Sequence, residues 1–306
     1  MTTGGARHVP GLDGLRGLAV MAVMACHAGI PRAAGGVVGV DVFFVLSGFL
    51  ITGIVLDQLE AGRFDLVRFY RRRLFRIAPA LWCMLGLLSL ATLLVNVPWK
   101  SGIFWRATAF AAPFATQAQL LRHEDAGPLS HLWSLSVEAA FYLMWPIALV
   151  AAHRLHALRP LLIATGFVVI ASMALRYAVF MLGWQGNPWL VGVAVTRADG
   201  IFAGAALCWL LRRFHGHDGL LSLAAYVLPV ALIGTLISIK PAIAAMGWAC
   251  LFAVATASCL VAAAATIPKH PVVRLLESRP LRWTGEISYG LYLWHLPVEW
   301  CVKSLR

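Results

Sequence analysis

The chain is poor in charge. Only 12% of its 306 residues are Asp, Glu, Lys or Arg, about half the fraction usual in soluble proteins. Acidic residues are scarcest, 13 against 25 Lys and Arg, for a formal charge of +12. The six cysteines form no CxxC pair, so neither a disulfide framework nor a zinc site is indicated, and buried thiols are the simpler account. No low-complexity tract, internal repeat or long linker interrupts the chain. What is abundant is apolar: 60% of residues, against a usual 45–50%. A soluble domain of this size cannot hide so much apolar surface, and a disordered chain does not carry it. A nucleic-acid binder shares the basic balance but has an ordinary apolar fraction. The composition is that of a polytopic membrane protein whose loops hold the cations.

A membrane span needs about 20 mostly apolar residues. Nine stretches qualify as expected spans: 14–31, 38–56, 77–97, 131–152, 161–182, 198–212, 219–238, 242–265 and 284–303. Residues 103–121 are also apolar but include Arg106, Pro113, Gln117 and Gln119. If they do not cross and the N-terminus is cytoplasmic, the inner side collects Arg7, Arg63, Arg68, Arg71, Arg72, Arg73, Arg76, Arg154, Arg159, Arg212, Arg213, Lys269, Arg274, Arg279 and Arg282. The outer side keeps Arg32, Lys100, Arg106, Arg122 and Lys240. The positive-inside rule therefore favours a re-entrant or interfacial helix at 103–121. The expected fold is all-α, a bundle of nine spans plus that helix, in one integral membrane domain over 1–306.

Ionisable side chains inside spans are functional candidates by default. Arg16 and His27 lie eleven residues apart in the first span, which places them on one helix face about 16 Å apart along the axis. Asp41 opens the second span at the depth of His27, where it either orients the imidazole or caps its own helix. Glu138 sits about two turns into the fourth span, with Ser134 at i−4 and Tyr142 at i+4 on its face. His131 and Trp133 lie at interface depth and are weaker candidates. Arg71, Arg72, Arg73 and Arg76 crowd an inner loop, residues 69–79. Arg73 and Arg76 share a helix face, suited either to the phosphates of a nucleotide-containing donor or to anionic lipid. Arg176, Arg197, Asp199, Glu286 and His295 are further intramembrane polar residues whose pairing the sequence leaves open.

Five segments, in order along nearly the whole chain, carry a family resemblance: GLDGLRGLAVMAVMACH (11–27), GGVVGVDVFFVLSGFLIT (36–52), RFYRRRLFRIAPAL (68–81), LSHLWSLSVEAAFYLMWP (129–146) and ISYGLYLWHLPV (287–298). They resemble the acyltransferase 3 family of integral membrane O-acyltransferases, with Arg16 and His27 as its Arg-x10-His pattern and Arg73 and Arg76 as its Arg-x-x-Arg pattern. The resemblance implies transfer of an acyl group, often acetyl, from cytoplasmic acyl-CoA to a hydroxyl of an extracytoplasmic or membrane-associated carbohydrate. It implies no metal and no bound prosthetic group, a bacterial cytoplasmic membrane, and partners limited to acyl-CoA, carbohydrate and lipid, without nucleic acid. On that basis His27, Arg16, Asp41 and Glu138 are the expected catalytic set, Arg72, Arg73 and Arg76 the donor-binding set, and Ser134 and Tyr142 their supports. Three departures stand out. Ala139 and Ala140 follow Glu138 where the family often has acidic and amide residues, Leu132 replaces a frequent Thr, and the chain is expected to lack the family's last span. A proton-coupled transporter lined by the same buried residues, or an inactive scaffold relative, are the alternatives.

Overall fold

A computed structural model describes residues 9–122, 124–182, 194–213, 218–238 and 248–305. The described residues form helices α1 (Pro10–His27), α2 (Gly39–Glu60), α3 (Leu66–Leu94), α4 (Ser101–Ala111), α5 (Thr116–Leu121), α6 (Trp133–Arg154), α7 (Leu158–Met181), α8 (Ala194–Arg213), α9 (Asp218–Ser238), α10 (Trp248–Thr266), α11 (Pro271–Leu276), α12 (Arg279–Glu286) and α13 (Ser288–Ser304). Short 3₁₀ segments, Ala34–Val38 and Gly127–Leu132, lead into α2 and α6. Local chemistry sets the boundaries. Pro10 occupies the first turn of α1, where its missing N–H costs nothing. Asp65 caps α3 by accepting from the Arg68 amide at 2.9 Å.

The all-α class agrees with the sequence, but the expected nine spans do not. Among the described residues, four helices are long and apolar enough to cross a membrane: Ala34–Glu60, Leu66–Leu94, Gly127–Arg154 and Leu158–Ala178. Two shorter apolar helices, Gly219–Gly234 and Cys250–Thr266, accompany them. The reason for the correction is physical. Asp13, Arg16 and His27 dilute the 18 residues of α1, and Arg197, Asp199, Arg212 and Arg213 do the same to α8. The expected span at 284–303 breaks after Glu286 into α12 and the 17-residue α13. Arg7, Lys240 and the first residues of the expected span at 242–265 lie outside the described residues.

Two local expectations are refined. The arginine-rich segment 69–79, read as a loop, is the first part of α3. Residues 103–121 form the two short helices α4 and α5, separated by a turn in which Phe114 takes a positive φ of 61°.

The central element is α2, packed against α1, α6, α8 and α10. Its apolar window is 56% buried, against 17% for peripheral α7. The crossing of α2 and α8 is its closest contact. A Cβ on Gly48 would sit 1.8 Å from the Ile201 carbonyl oxygen, and one on Gly204 would sit 2.0 Å from that of Val45. Each helix thus needs a glycine where the other's backbone meets it, the small-residue packing that lets membrane helices approach. Above this crossing, Phe141, Trp145 and Phe202 pack ring against ring at 5.4–5.6 Å, and the Trp145 indole N–H donates to Thr52 Oγ1 at 2.8 Å.

Replacing Gly48 or Gly204 by Leu forces backbone apart from backbone. We expect a loss of about 1–3 kcal/mol or more, seen as a lower thermal midpoint and less monodisperse protein in detergent. A Gly86→Leu control, where a Cβ meets nothing within 4 Å, should behave as wild type.

Candidate functional site

A cavity of about 1200 Å³ opens between α1, α2, α3, α6 and α13. Its lining includes Arg16, Arg73 and Arg76 and also Phe43, Ser134 and Tyr292; about two turns of α6 separate Ser134, beside Tyr292, from Tyr142, beside Arg73. The α3 helix brings Arg73 and Arg76 to the same wall because they are three residues apart. Arg72 points elsewhere: it is exposed and does not line the cavity. The Arg73 guanidinium lies 5.6 Å from the Tyr142 ring centroid and 5.9 Å from that of Phe69, so aromatic faces hold it from both helices. Arg212 flanks the cavity beside Asp57 and is tied to Asp57 at 2.5 Å and Glu60 at 2.6 Å.

Glu138 lies in the cavity wall and is held by two hydroxyls. Ser47 Oγ donates to Glu138 Oε1 at 2.8 Å, and Tyr142 Oη donates to Glu138 Oε2 at 3.2 Å. The two hydroxyls are themselves 2.9 Å apart. Helical spacing accounts for Tyr142; Ser47 was missed, and its only sequence signal is a hydroxyl within the apolar run of the second span. Ser134 does not meet Glu138. Its hydroxyl lies 2.6 Å from Tyr292 Oη, which donates to the His131 carbonyl at 2.8 Å.

Asp41 is fully buried and belongs to a different group. Arg197 Nη1 contacts both Asp41 carboxylate oxygens at 3.0 Å, and Arg176 approaches Asp41 at 3.5 Å while also pairing with Asp199. Two carboxylates and two guanidiniums from α2, α7 and α8 make a neutral cluster, with Arg197 stacked 5.3 Å from the Trp133 ring. The sequence flagged all four residues but not their pairing, and the structure joins Asp41 to arginines rather than to His27.

His27 closes α1, eleven residues from Arg16. Its Nδ1 lies 3.0 Å from the Val23 carbonyl, one turn back. Its nearest ring neighbour is His295, with centroids 5.0 Å apart, and His295 is in turn 4.9 Å from His131. Tyr292 touches both, at 5.4 Å. The histidines do not line the cavity themselves; Tyr292, which does, packs against His131 and His295. Cys26, adjacent in sequence, turns away and donates to the Ala34 carbonyl at 3.1 Å. Among the described residues no group of His, Cys, Asp or Glu has the geometry of a metal site.

Pro297 explains the register of this group. A proline has no N–H, so the carbonyl four residues earlier, that of Leu293, loses its helical donor. His131 Nε2 takes that carbonyl instead, at 3.1 Å. The segment WHLP (294–297) thus docks α13 onto the 3₁₀ segment before α6.

Removing one member of the charged cluster leaves an uncompensated buried charge. Asp41→Ala should cost about 3–5 kcal/mol, read as a large drop in thermal midpoint and in membrane abundance. Cys26→Ser keeps a donor for Ala34 and should leave both midpoint and activity within twofold of wild type.

Comparison with known proteins gives the same direction. A family model described as an acyltransferase domain matches residues 9–305. The peptidoglycan O-acetyltransferase OatA of Listeria monocytogenes is 30% identical, covering 95% of this chain and 49% of its own length. The putative peptidoglycan O-acetyltransferase YrhL of Bacillus subtilis is 32% identical with the same coverage. The O-acetyltransferase OatA of Staphylococcus aureus is 29% identical over 97% of this chain and 52% of its own. The chain spans about half the length of the curated relatives it matches. No solved structure matches it.

Proposed function

Because the chain belongs to the acyltransferase domain family, we propose that it transfers an acyl group, acetyl in the first instance, from cytoplasmic acyl-CoA to a hydroxyl of a cell-envelope carbohydrate. The supporting observation is the cavity itself: Arg16, Arg73 and Arg76 line it together with Glu138, Ser134 and Tyr292, and His131 and His295 pack against Tyr292. Arg73 and Arg76 would take the CoA phosphates by charge-assisted hydrogen bonds. Arg16, which lines the same cavity from α1, would steady the pantetheine arm as it runs toward His27. The cation-rich end faces the cytoplasm in this reading, with the N-terminus on the same side. Peptidoglycan is the acceptor named for two of the relatives, and it is the first acceptor class to test here.

The chemistry asked of the site is modest. His27 has one ring nitrogen committed to the Val23 carbonyl, which leaves Nε2 with its lone pair. That nitrogen takes the proton of an acceptor hydroxyl while the oxygen attacks the thioester carbonyl carbon. The C–S bond breaks, and the thiolate recovers the proton from the imidazolium. Glu138, fixed by Ser47 and Tyr142, supplies a negative centre among Arg16, Arg73 and Arg76 and so holds the arginine end in shape. Asp41 contributes by building the charged cluster that sets α2 against α7 and α8.

Two measurements test this. Acetyl-CoA binding to the purified chain should weaken about 10- to 100-fold in Arg73→Ala or Arg76→Ala, as the loss of one charge-assisted contact predicts. It should be unchanged in Arg72→Ala. In a deletion strain, O-acetyl content of the envelope glycans should return with the wild-type chain and not with His27→Ala at equal membrane abundance. Restoration by His27→Ala would remove His27 from the mechanism. Wild-type binding of acetyl-CoA that ignores Arg73 and Arg76 would remove the donor site.

A further inference from the structure

The three clustered histidines, His27, His295 and His131, share one feature that general-base chemistry at His27 does not require. Each has one nitrogen on a main-chain carbonyl: His27 Nδ1 on Val23, His295 Nδ1 on Tyr292 at 2.7 Å, and His131 Nε2 on Leu293. A carbonyl only accepts, so in neutral His27 and His295 these nitrogens carry the proton and Nε2 is left with its lone pair. His131 also has the Pro128 carbonyl beside it, without a well-formed hydrogen bond to Nδ1. His295 Nε2 and His131 Nδ1 are shielded from solvent and, among the described residues, make no well-formed hydrogen bond. Buried polar atoms are normally satisfied, and such exceptions cluster where function holds them. Both residues are more than nine-tenths buried, and the His295 ring lies between the other two.

We propose that His295, backed by His131, is the positioning partner of His27 and stabilises its imidazolium during transfer. The proposal rests on the acyl-transfer reading above. The hydroxyl O–H bond breaks and an N–H bond forms on His27 Nε2 as the new C–O bond forms at the thioester carbon. The imidazolium so created faces a neighbour whose free nitrogen has no donor of its own, and its charge spreads toward His295 instead of resting on one half-buried ring. When the C–S bond breaks, the same proton passes from His27 Nε2 to the thiolate, which leaves as the free thiol. No metal, oxidant or further reactant enters. The groups that face the relay are Tyr292 and Glu299 on α13, Cys26 on α1, and Lys303, which pairs with Glu299 and lies 3.5 Å from the His27 carbonyl.

The geometry offers substitutions that keep the fold. An asparagine amide nitrogen occupies the place of a histidine Nδ1, so His295→Asn keeps the bond to Tyr292 and deletes the free nitrogen. A glutamine nitrogen occupies the place of Nε2, so His131→Gln keeps the bond to Leu293 and deletes the free Nδ1. The test is release of free thiol from acetyl-CoA by the purified whole chain in nanodiscs, with soluble peptidoglycan fragments as acceptor. We expect His295→Asn to lower kcat by about 10- to 100-fold, a share of the usual general-base contribution, with the KM for acetyl-CoA within twofold and the pH–rate profile displaced. His131→Gln should show a smaller change of the same kind. Turnover of His295→Asn within twofold of wild type and an unmoved pH profile would overturn the proposal while leaving the acyl-transfer reading intact. A wild type that neither binds acetyl-CoA nor releases thiol would sink that reading instead. In every case ¹⁵N spectra of histidine-labelled protein decide the relay separately. Coupled two-step titration of His27 and His295, lost in His295→Asn, supports it; independent titration rejects it.

Discussion

The arrangement of the bundle depends on electrical neutrality in a medium that solvates charge poorly. Asp41, Asp199, Arg176 and Arg197 are all buried, and any one of them alone is expensive at that depth. Together they cancel. Their pairing fixes the rotation of α2, α7 and α8 about their axes, because a helix turned by one residue (100°) would carry its charge out of reach. The glycine crossing of α2 and α8 sets the distance, and the charge cluster sets the angle. With α2 fixed, Ser47 faces Glu138 and Phe43 faces the cavity, so the site inherits its shape from the charged cluster.

Much of this site was legible in the sequence, and the limits of legibility have a common cause. Spacing alone placed Arg16 and His27 on one face of one helix, Arg73 and Arg76 on one wall, and Tyr142 within reach of Glu138. All of these are relations inside one helix, where geometry is fixed by the backbone. Arg72, one residue from Arg73, was drawn in by its neighbours and falls outside the wall for the same geometric reason. Relations between helices were not legible. The partners of Asp41 lie 135 and 156 residues away, and nothing local distinguishes a carboxylate that orients His27 from one that binds Arg197. Ser47 and the Leu293 carbonyl became visible only when α6 was set against α2 and α13.

The count of spans failed for an instructive reason. An apolar run tolerates an occasional charge, so α1, α8 and α13 look like spans when scanned for hydrophobic length. They are instead the helices that carry the polar work: Arg16 and His27 on the first, Arg197 and Asp199 on the second, His295 on the third. They earn burial from neighbouring helices more than from lipid, whereas α3 and α7 present broad apolar faces outward. Helices with the longest apolar runs therefore form the enclosure as well as the core, and α1, α8 and α13 add their polar groups to those of α3 and α6, Arg73, Arg76 and Glu138 among them.

The separation of the charged partners along the chain also bears on biosynthesis. Asp41 leaves the ribosome well before Arg176 and Arg197 exist. At 5–20 residues per second, the usual pace of synthesis, the carboxylate waits roughly 7 to 30 s for its partners. During that interval α2 is an apolar helix whose acid, near one end, has not yet met the arginines that pair with it. The arrival of α7 and α8 ends the wait. Maturation of this protein is thus timed by its own sequence order, with the central helix made early and locked late.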